Sequence, residues 1–284
     1  MGKKIIVNLS VVFDLNGGPT NFIVFSLSLW NIPLKWREKF LKKFIISLFM
    51  LVVISSANAG EKIVLTTLDW EPYIGQSMKQ NGYVAVLVKE AFRRGGYNAE
   101  FKFYSWTRTV GLAKAGKVDG YFPEYYNEAA KSYSKFSIPF PGGPIGFFKL
   151  KKNKIRYKTL KDLKPYKIGV VRGYVNTKEF DSASYLKKEP VKDELTNFKK
   201  LVAGRIDLLV ADKFVGLELI KKHMPEKAAQ IEFISKTLEE KDLYVCISKK
   251  GRDSDKIVKA FNSGLKKMKA DGTVTKILKQ FGFK

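Results

Sequence analysis

The sequence predicts an α/β protein built as two lobes, each a mainly parallel sheet flanked by helices and the two joined by a pair of strands. Three observations carry that prediction. After residue 60, short β-rich runs alternate with stretches of helical apolar spacing. The alternation restarts near residue 160. A helix-glycine-strand unit ending in aspartate, at 112–119 (LAKAGKVD), recurs at 201–207 (LVAGRID).

The elements follow in order. Residues 62–68 (KIVLTTL) form a strand, ended by the turn Asp69-Trp70-Glu71-Pro72-Tyr73. Residues 83–92 place Val84, Leu87, Val88 and Ala91 on one helical face, and Gly95-Gly96 stop that helix. A strand at 100–104, a helix at 106–115 and a strand at 117–122 complete the first round. The second round begins with a strand at 166–171 (YKIGVV) and a helix at 194–203. A strand at 206–210, a helix at 212–222 and a strand at 231–234 follow. A last strand at 243–248, a long amphipathic helix at 254–270 and a closing helix at 274–281 end the chain.

Composition limits the function. The 284 residues carry 52 Lys plus Arg against 27 Asp plus Glu, a net charge of +25. At 45% hydrophobic and 28% charged, the chain can bury a core but is too charged after residue 60 for a polytopic membrane protein. One cysteine, Cys246, and one histidine, His223, exclude a zinc or disulfide scaffold. His223 ends a Lys-rich helix, where a cation is ordinary, so no Ser-His or Cys-His hydrolase site is expected. The lysines are spread over nearly every helix instead of forming one stripe, which speaks against nucleic acid. No metal and no cofactor is expected.

Residues 35–59 read as a secretory signal: Lys35, Arg37, Lys39, Lys42 and Lys43, then an apolar run over 44–54, then Ala57-Asn58-Ala59. Cleavage there starts the mature chain at Gly60 and implies a periplasmic location. Residues 1–34 are expected to be an over-extended start, with translation beginning near Leu41.

Six segments then carry a resemblance to a known family. They are Trp70-Glu71-Pro72-Tyr73, residues 112–120, Phe136-Ser137-Ile138-Pro139-Phe140 and residues 160–173 (LKDLKPYKIGVVRG). The last two are Gly204-Arg205-Ile206-Asp207 with Asp212, and Ala270-Asp271-Gly272-Thr273 with Ile277 and Phe281-Gly282. In this order they resemble the family-3 periplasmic solute-binding proteins, the type II two-lobed receptors of ATP-driven importers. The resemblance implies lobe 1 over 60–150 and 241–284, and lobe 2 over 151–240. It also implies a cleft that closes about a hinge on a small polar solute, an amino acid or a related molecule, and a monomer that meets the membrane permease of an ABC importer. It implies no enzyme. An enzyme on the same fold, with Glu124 as acid or base, and a ligand sensor for signalling are the alternatives.

Candidate ligand residues follow from strand ends, where open α/β sheets bind ligands. Asp69, Trp70 and Tyr73 follow the first strand, and Trp106 and Arg108 the second. Glu124 and Tyr125, beside Tyr121 and Tyr126, follow the third. Arg172, Gly173 and Tyr174 follow the first strand of lobe 2, and Asp212 a later one. Each has an ordinary alternative: packing for the aromatics, a surface charge for the arginines, a helix cap for Asp212. The sequence departs from the family at one point. Where amino-acid-binding members carry a carboxylate-clamping arginine, this chain reads Asn127-Glu128-Ala129-Ala130, with Ala130 in the arginine's place.

Overall fold

The β-rich run after Gly60 forms β1 (Glu61–Thr67), which pairs in parallel with β2 (Tyr97–Phe103) and β3 (Gly120–Tyr125). A second parallel trio joins β6 (Lys167–Val171) to β7 (Lys187–Val191) and β8 (Leu208–Asp212). Two longer strands, β5 (Phe140–Leu150) and β10 (Glu239–Ser248), lie between the trios. β10 runs antiparallel to β3 and to β5, and β5 antiparallel to β8. The sheet order is β2-β1-β3-β10-β5-β8-β6-β7, with the short strands β4 (Ser134–Phe136) and β9 (Ile231–Phe233) against β10 and β5. This computed structural model describes residues 60–283, so the expected signal segment at 35–59 and the stretch at 1–34 lie outside the described residues.

Each trio is parallel as expected, while the two long strands between them make the whole sheet mixed and continuous from one lobe to the other. A connection that leaves one lobe and returns must run out and back, which makes its two strands antiparallel to each other. β10 was legible over 243–248, whereas β5 was not. The opening of β5 reads Phe140-Pro141-Gly142-Gly143-Pro144, which looks like a turn, yet it pairs with 240–243 of β10. The glycine at 143 is required by close approach: a Cβ there would run into the Tyr73 hydroxyl and come 2.7 Å from Phe214 Cδ2.

The helices cover the sheet. They are α1 (Tyr83–Arg94), α2 (Trp106–Lys114), α3 (Lys178–Ser182), α4 (Glu194–Val202), α5 (Lys213–His223), α6 (Ser254–Ala270) and α7 (Thr273–Gln280). On α6 the residues Ile257, Phe261, Leu265 and Met268 recur at helical spacing and are buried. The same face logic buries Val84, Leu87, Val88 and Ala91 of α1.

The sequence echo is a repeated piece of geometry. Gly116 and Gly204 both take φ near +70° (72° and 68°) after α2 and α4, the left-handed turn that glycine adopts without strain. Lys117 N–H then donates to Leu112 O at 3.0 Å, and Arg205 N–H to Lys200 O at 2.9 Å. Asp119 accepts from Val64 N–H at 2.7 Å while its own N–H donates to Val64 O at 2.9 Å. Asp207 does the same with Lys167, at 2.8 and 2.9 Å. In each lobe the aspartate thus clips the strand after the helix to the first strand.

Candidate functional site

The C-terminal ends of β1, β3 and β8 and the loop after β6 converge where the two lobes meet. The ends of β8 and of β7 supply helix starts. Asp212 closes β8 and caps α5, accepting from Phe214 N–H at 2.8 Å and Val215 N–H at 3.1 Å. Asp193 caps α4, accepting from Thr196 N–H at 2.7 Å, and so sets Glu194 at the head of that helix.

Direct hydrogen bonds cross from lobe to lobe. The Tyr73 hydroxyl donates to Asp212 Oδ2 at 2.8 Å, and the Tyr125 hydroxyl to the same oxygen at 3.2 Å. Trp70 Nε1 donates to Glu194 Oε1 at 3.0 Å, and Trp106 Nε1 to Gly173 O at 3.1 Å. Within lobe 2, the Tyr174 hydroxyl donates to Glu194 Oε2 at 3.3 Å. Trp106 also meets Tyr174 edge to face, with ring centroids 5.9 Å apart, and Trp70 meets Tyr125 in the same way at 5.7 Å. Glu71 and Lys222 form an ion pair across the same junction at 3.0 Å.

Two adjoining hollows result. The inner one, about 30 Å³, is lined by Trp70, Trp106, Glu124, Tyr125 and Tyr174, with Leu68, Pro123, Val175 and Leu243 closing it. The outer one, about 280 Å³, is bounded by Asp69, Glu71, Glu194, Glu218, Lys222 and His223, among others. Trp70 borders both.

Three carboxylates are buried here, and burial is the main influence on each. The Glu124 carboxyl is pushed up to about 8 by burial, against the lowering effect of hydrogen bonds from the Tyr121 hydroxyl (3.0 Å) and Tyr125 N–H (3.0 Å). Asp212 is pushed up to about 6 by burial, although two backbone N–H groups and two phenols favour its charged form. Glu194 is raised too, again by burial. The Tyr125 and Tyr174 hydroxyls lie well above their ordinary range, because burial and neighbouring carboxylates both oppose a phenolate.

The predicted residues separate into three groups. Trp70, Trp106, Glu124, Tyr125 and Tyr174 line the inner hollow, and Tyr73, Asp212 and Gly173 O form the cross-lobe bonds beside it. Asp69 is exposed on the outer hollow, where it holds Gln76 through its N–H (2.7 Å) and Nε2 (2.9 Å). The two arginines are brought to neither. Arg108 is exposed, its guanidinium 4.3 Å from the centre of the Tyr104 ring, and Arg172 is exposed after β6. Both come after strands at the cleft edge, Arg108 in the first turn of α2 and Arg172 in the turn after β6, and both side chains stand in solvent. Ala130 is fully buried behind β4. Glu194 was missed. It opens the helix expected at 194–203, but β7 before it was not expected, so no strand end pointed to it.

Residues 63–284 match the family model for bacterial extracellular solute-binding proteins, family 3. The L-cystine-binding protein TcyJ of Escherichia coli strain K12 is 26% identical over 204 residues, covering 70% of this chain and 73% of that protein. Among solved structures, a histidine kinase sensor domain similar to periplasmic binding proteins superposes with a TM-score of 0.69 at 17% identity, covering 78% of this chain and 96% of that one. An ancestral arginine-binding protein bound to arginine gives 0.66 at 23%, covering 78% and 98%. At these identities the structural likeness is one of fold.

Proposed function

Since this chain belongs to the bacterial extracellular solute-binding proteins of family 3, we propose that it is a secreted receptor. It captures a small polar solute between its lobes by hinge closure and delivers it to the membrane permease of an ABC importer. In this proposal residues 35–59 are the cleaved signal, lobe 1 comprises 60–150 and 241–284, and lobe 2 comprises 151–240. Trp70, Tyr73, Trp106, Glu124, Tyr125, Tyr174, Asp212 and Glu194 form the ligand cleft.

The observation that carries the reading is the set of cross-lobe bonds, Trp70 to Glu194, Tyr73 to Asp212 and Trp106 to Gly173. Each joins a strand-end side chain of one lobe to the other lobe, so the contacts that hold the lobes together are also the walls of the cleft. A solute that binds these walls favours the closed arrangement by its difference in affinity for closed and open forms. β5 and β10 provide the flexible connection. Small-angle scattering with and without solute tests this, alongside a thermal-shift panel of amino acids, polyamines, organic acids and aromatic solutes. A ligand that contracts the particle and raises its melting temperature is the expected result. No thermal shift and no change in size across the panel would overturn the proposal.

A further inference from the structure

The wall of the inner hollow has an unusual chemical balance. Its four large rings are Trp70, Trp106, Tyr125 and Tyr174, and Glu124 is the one carboxyl among its lining residues. No lysine or arginine is among them. Every ring donor on this wall already has a protein acceptor: Trp70 Nε1 and the Tyr174 hydroxyl at Glu194, Trp106 Nε1 at Gly173 O, and the Tyr125 hydroxyl at Asp212. A ligand carboxylate would therefore find no cation here, and no uncommitted side-chain donor except the protonated Glu124 itself. A cation would find aromatic quadrupoles and an acid, the combination that recognises alkylammonium groups.

The outer hollow continues this bias. Asp69, Glu71, Glu194 and Glu218 border it against Lys222 and His223. Lys222 is already paired with Glu71. Trp70 and its bond to Glu194 stand between the two hollows. An elongated solute displacing that bond would reach both.

We infer that the solute is a carboxylate-free organic amine, with one ammonium or guanidinium group against the aromatic wall and Glu124 and its chain or second amine among the acids of the outer hollow. This rests on the receptor reading above and names the class of its solute. The inner hollow as it stands is about the size of one water molecule, so a headgroup enters as Trp106 gives up Gly173. The titratable groups facing Glu124 are Tyr121, Tyr133, Cys246 and Tyr174. A cation beside Glu124 favours its charged form, so binding sends a proton to solvent. A protein cation also lies near the wall, Lys241, 5.7 Å from the Tyr125 ring centre and paired with Glu239 at 3.1 Å.

The test compares each amino acid with its decarboxylated partner by calorimetry on the intact protein: arginine with agmatine, lysine with cadaverine, cystine with cystamine. At least one amine is expected to bind about tenfold or more tighter than its amino acid. Glu124→Gln is expected to weaken that amine by about tenfold or more, and by much less any neutral solute that binds. An amino acid that binds as tightly as its amine, or binding confined to neutral or anionic solutes, overturns the amine assignment and leaves the receptor standing. No solute of any class producing heat or a thermal shift overturns both.

Discussion

Glu124 offers a prediction whose sign depends on pH. Burial raises its carboxyl from the ordinary 4.5 to about 8. Between those values the unfolded chain has released this proton while the folded protein still holds it. The folded state binds more protons, so the stability this group contributes is fully present below pH 4.5 and is lost as pH rises through 8. At about 1.36 kcal/mol for each pH unit, the whole interval is worth roughly 5 kcal/mol. Gln at position 124 imitates the neutral acid, with one acceptor oxygen and an N–H in place of the O–H, and it does not titrate. Urea unfolding of Glu124→Gln and the parent protein at about pH 5 and about pH 7.5 should therefore cross over. Near pH 5 the variant should match the parent within about 1 kcal/mol or fall slightly below it, because Tyr121 loses part of its partner. Near pH 7.5 it should have gained roughly 3 kcal/mol relative to the parent. The raised Asp212 contributes its own slope, up to about 6, but it is present in both proteins and cancels in the difference. A stability difference that stays constant within about 0.5 kcal/mol from pH 5 to pH 7.5 would refute the reasoning.

The remaining predictions concern the junction and the core. Asp212→Ala removes a helix cap, about 1 kcal/mol, and leaves the buried Tyr73 and Tyr125 hydroxyls unpartnered, about 1–3 kcal/mol each. The melting temperature should fall by roughly 6–28 °C, and a fall below about 2 °C would mean the tyrosines do not depend on it. Gly143→Ala should cost about 1–3 kcal/mol by overpacking Tyr73 and Phe214, and scattering should show a more open particle; an unchanged melting temperature and size would count against the close packing at β5. Cys246 is fully buried and its thiol is held well above its ordinary range by burial, so a thiol reagent should modify the native protein only at the rate of its unfolding. Prompt labelling of the folded protein would show that β10 opens locally.

Some elements were plain in the chain because their cause is local. α1 and α6 bury a stripe that recurs at helical spacing, and the units ending at Asp119 and Asp207 repeat the same glycine turn. The strand ends carrying Trp70, Glu124 and Asp212 were legible for the same reason: alternating apolar runs stop where turn residues begin. β2 begins three residues before its expected start and β3 is shifted three residues beyond its expected range, since the ends of a strand depend on where its neighbour continues. β5 was hidden behind its prolines and glycines. They look like a turn until Tyr73, Phe214 and Lys241 are placed against them.

The sequence by itself determined the α/β class, the order of most of the elements outside β4, β5, β7 and α3, and the kinds of residue available at the cleft, because periodicity, turn chemistry and composition are properties of neighbours along the chain. Tertiary structure alone decided which of those residues meet. Arg108 and Arg172 look like anion clamps on paper and stand in solvent, whereas Glu194, an unremarked helix start, receives Trp70 from 124 positions away. Burial, which raises Glu124 and Asp212, is likewise set by the other lobe and by the sheet beneath. Charge state and cleft chemistry come from contacts distant in sequence, and no local pattern encodes those distances.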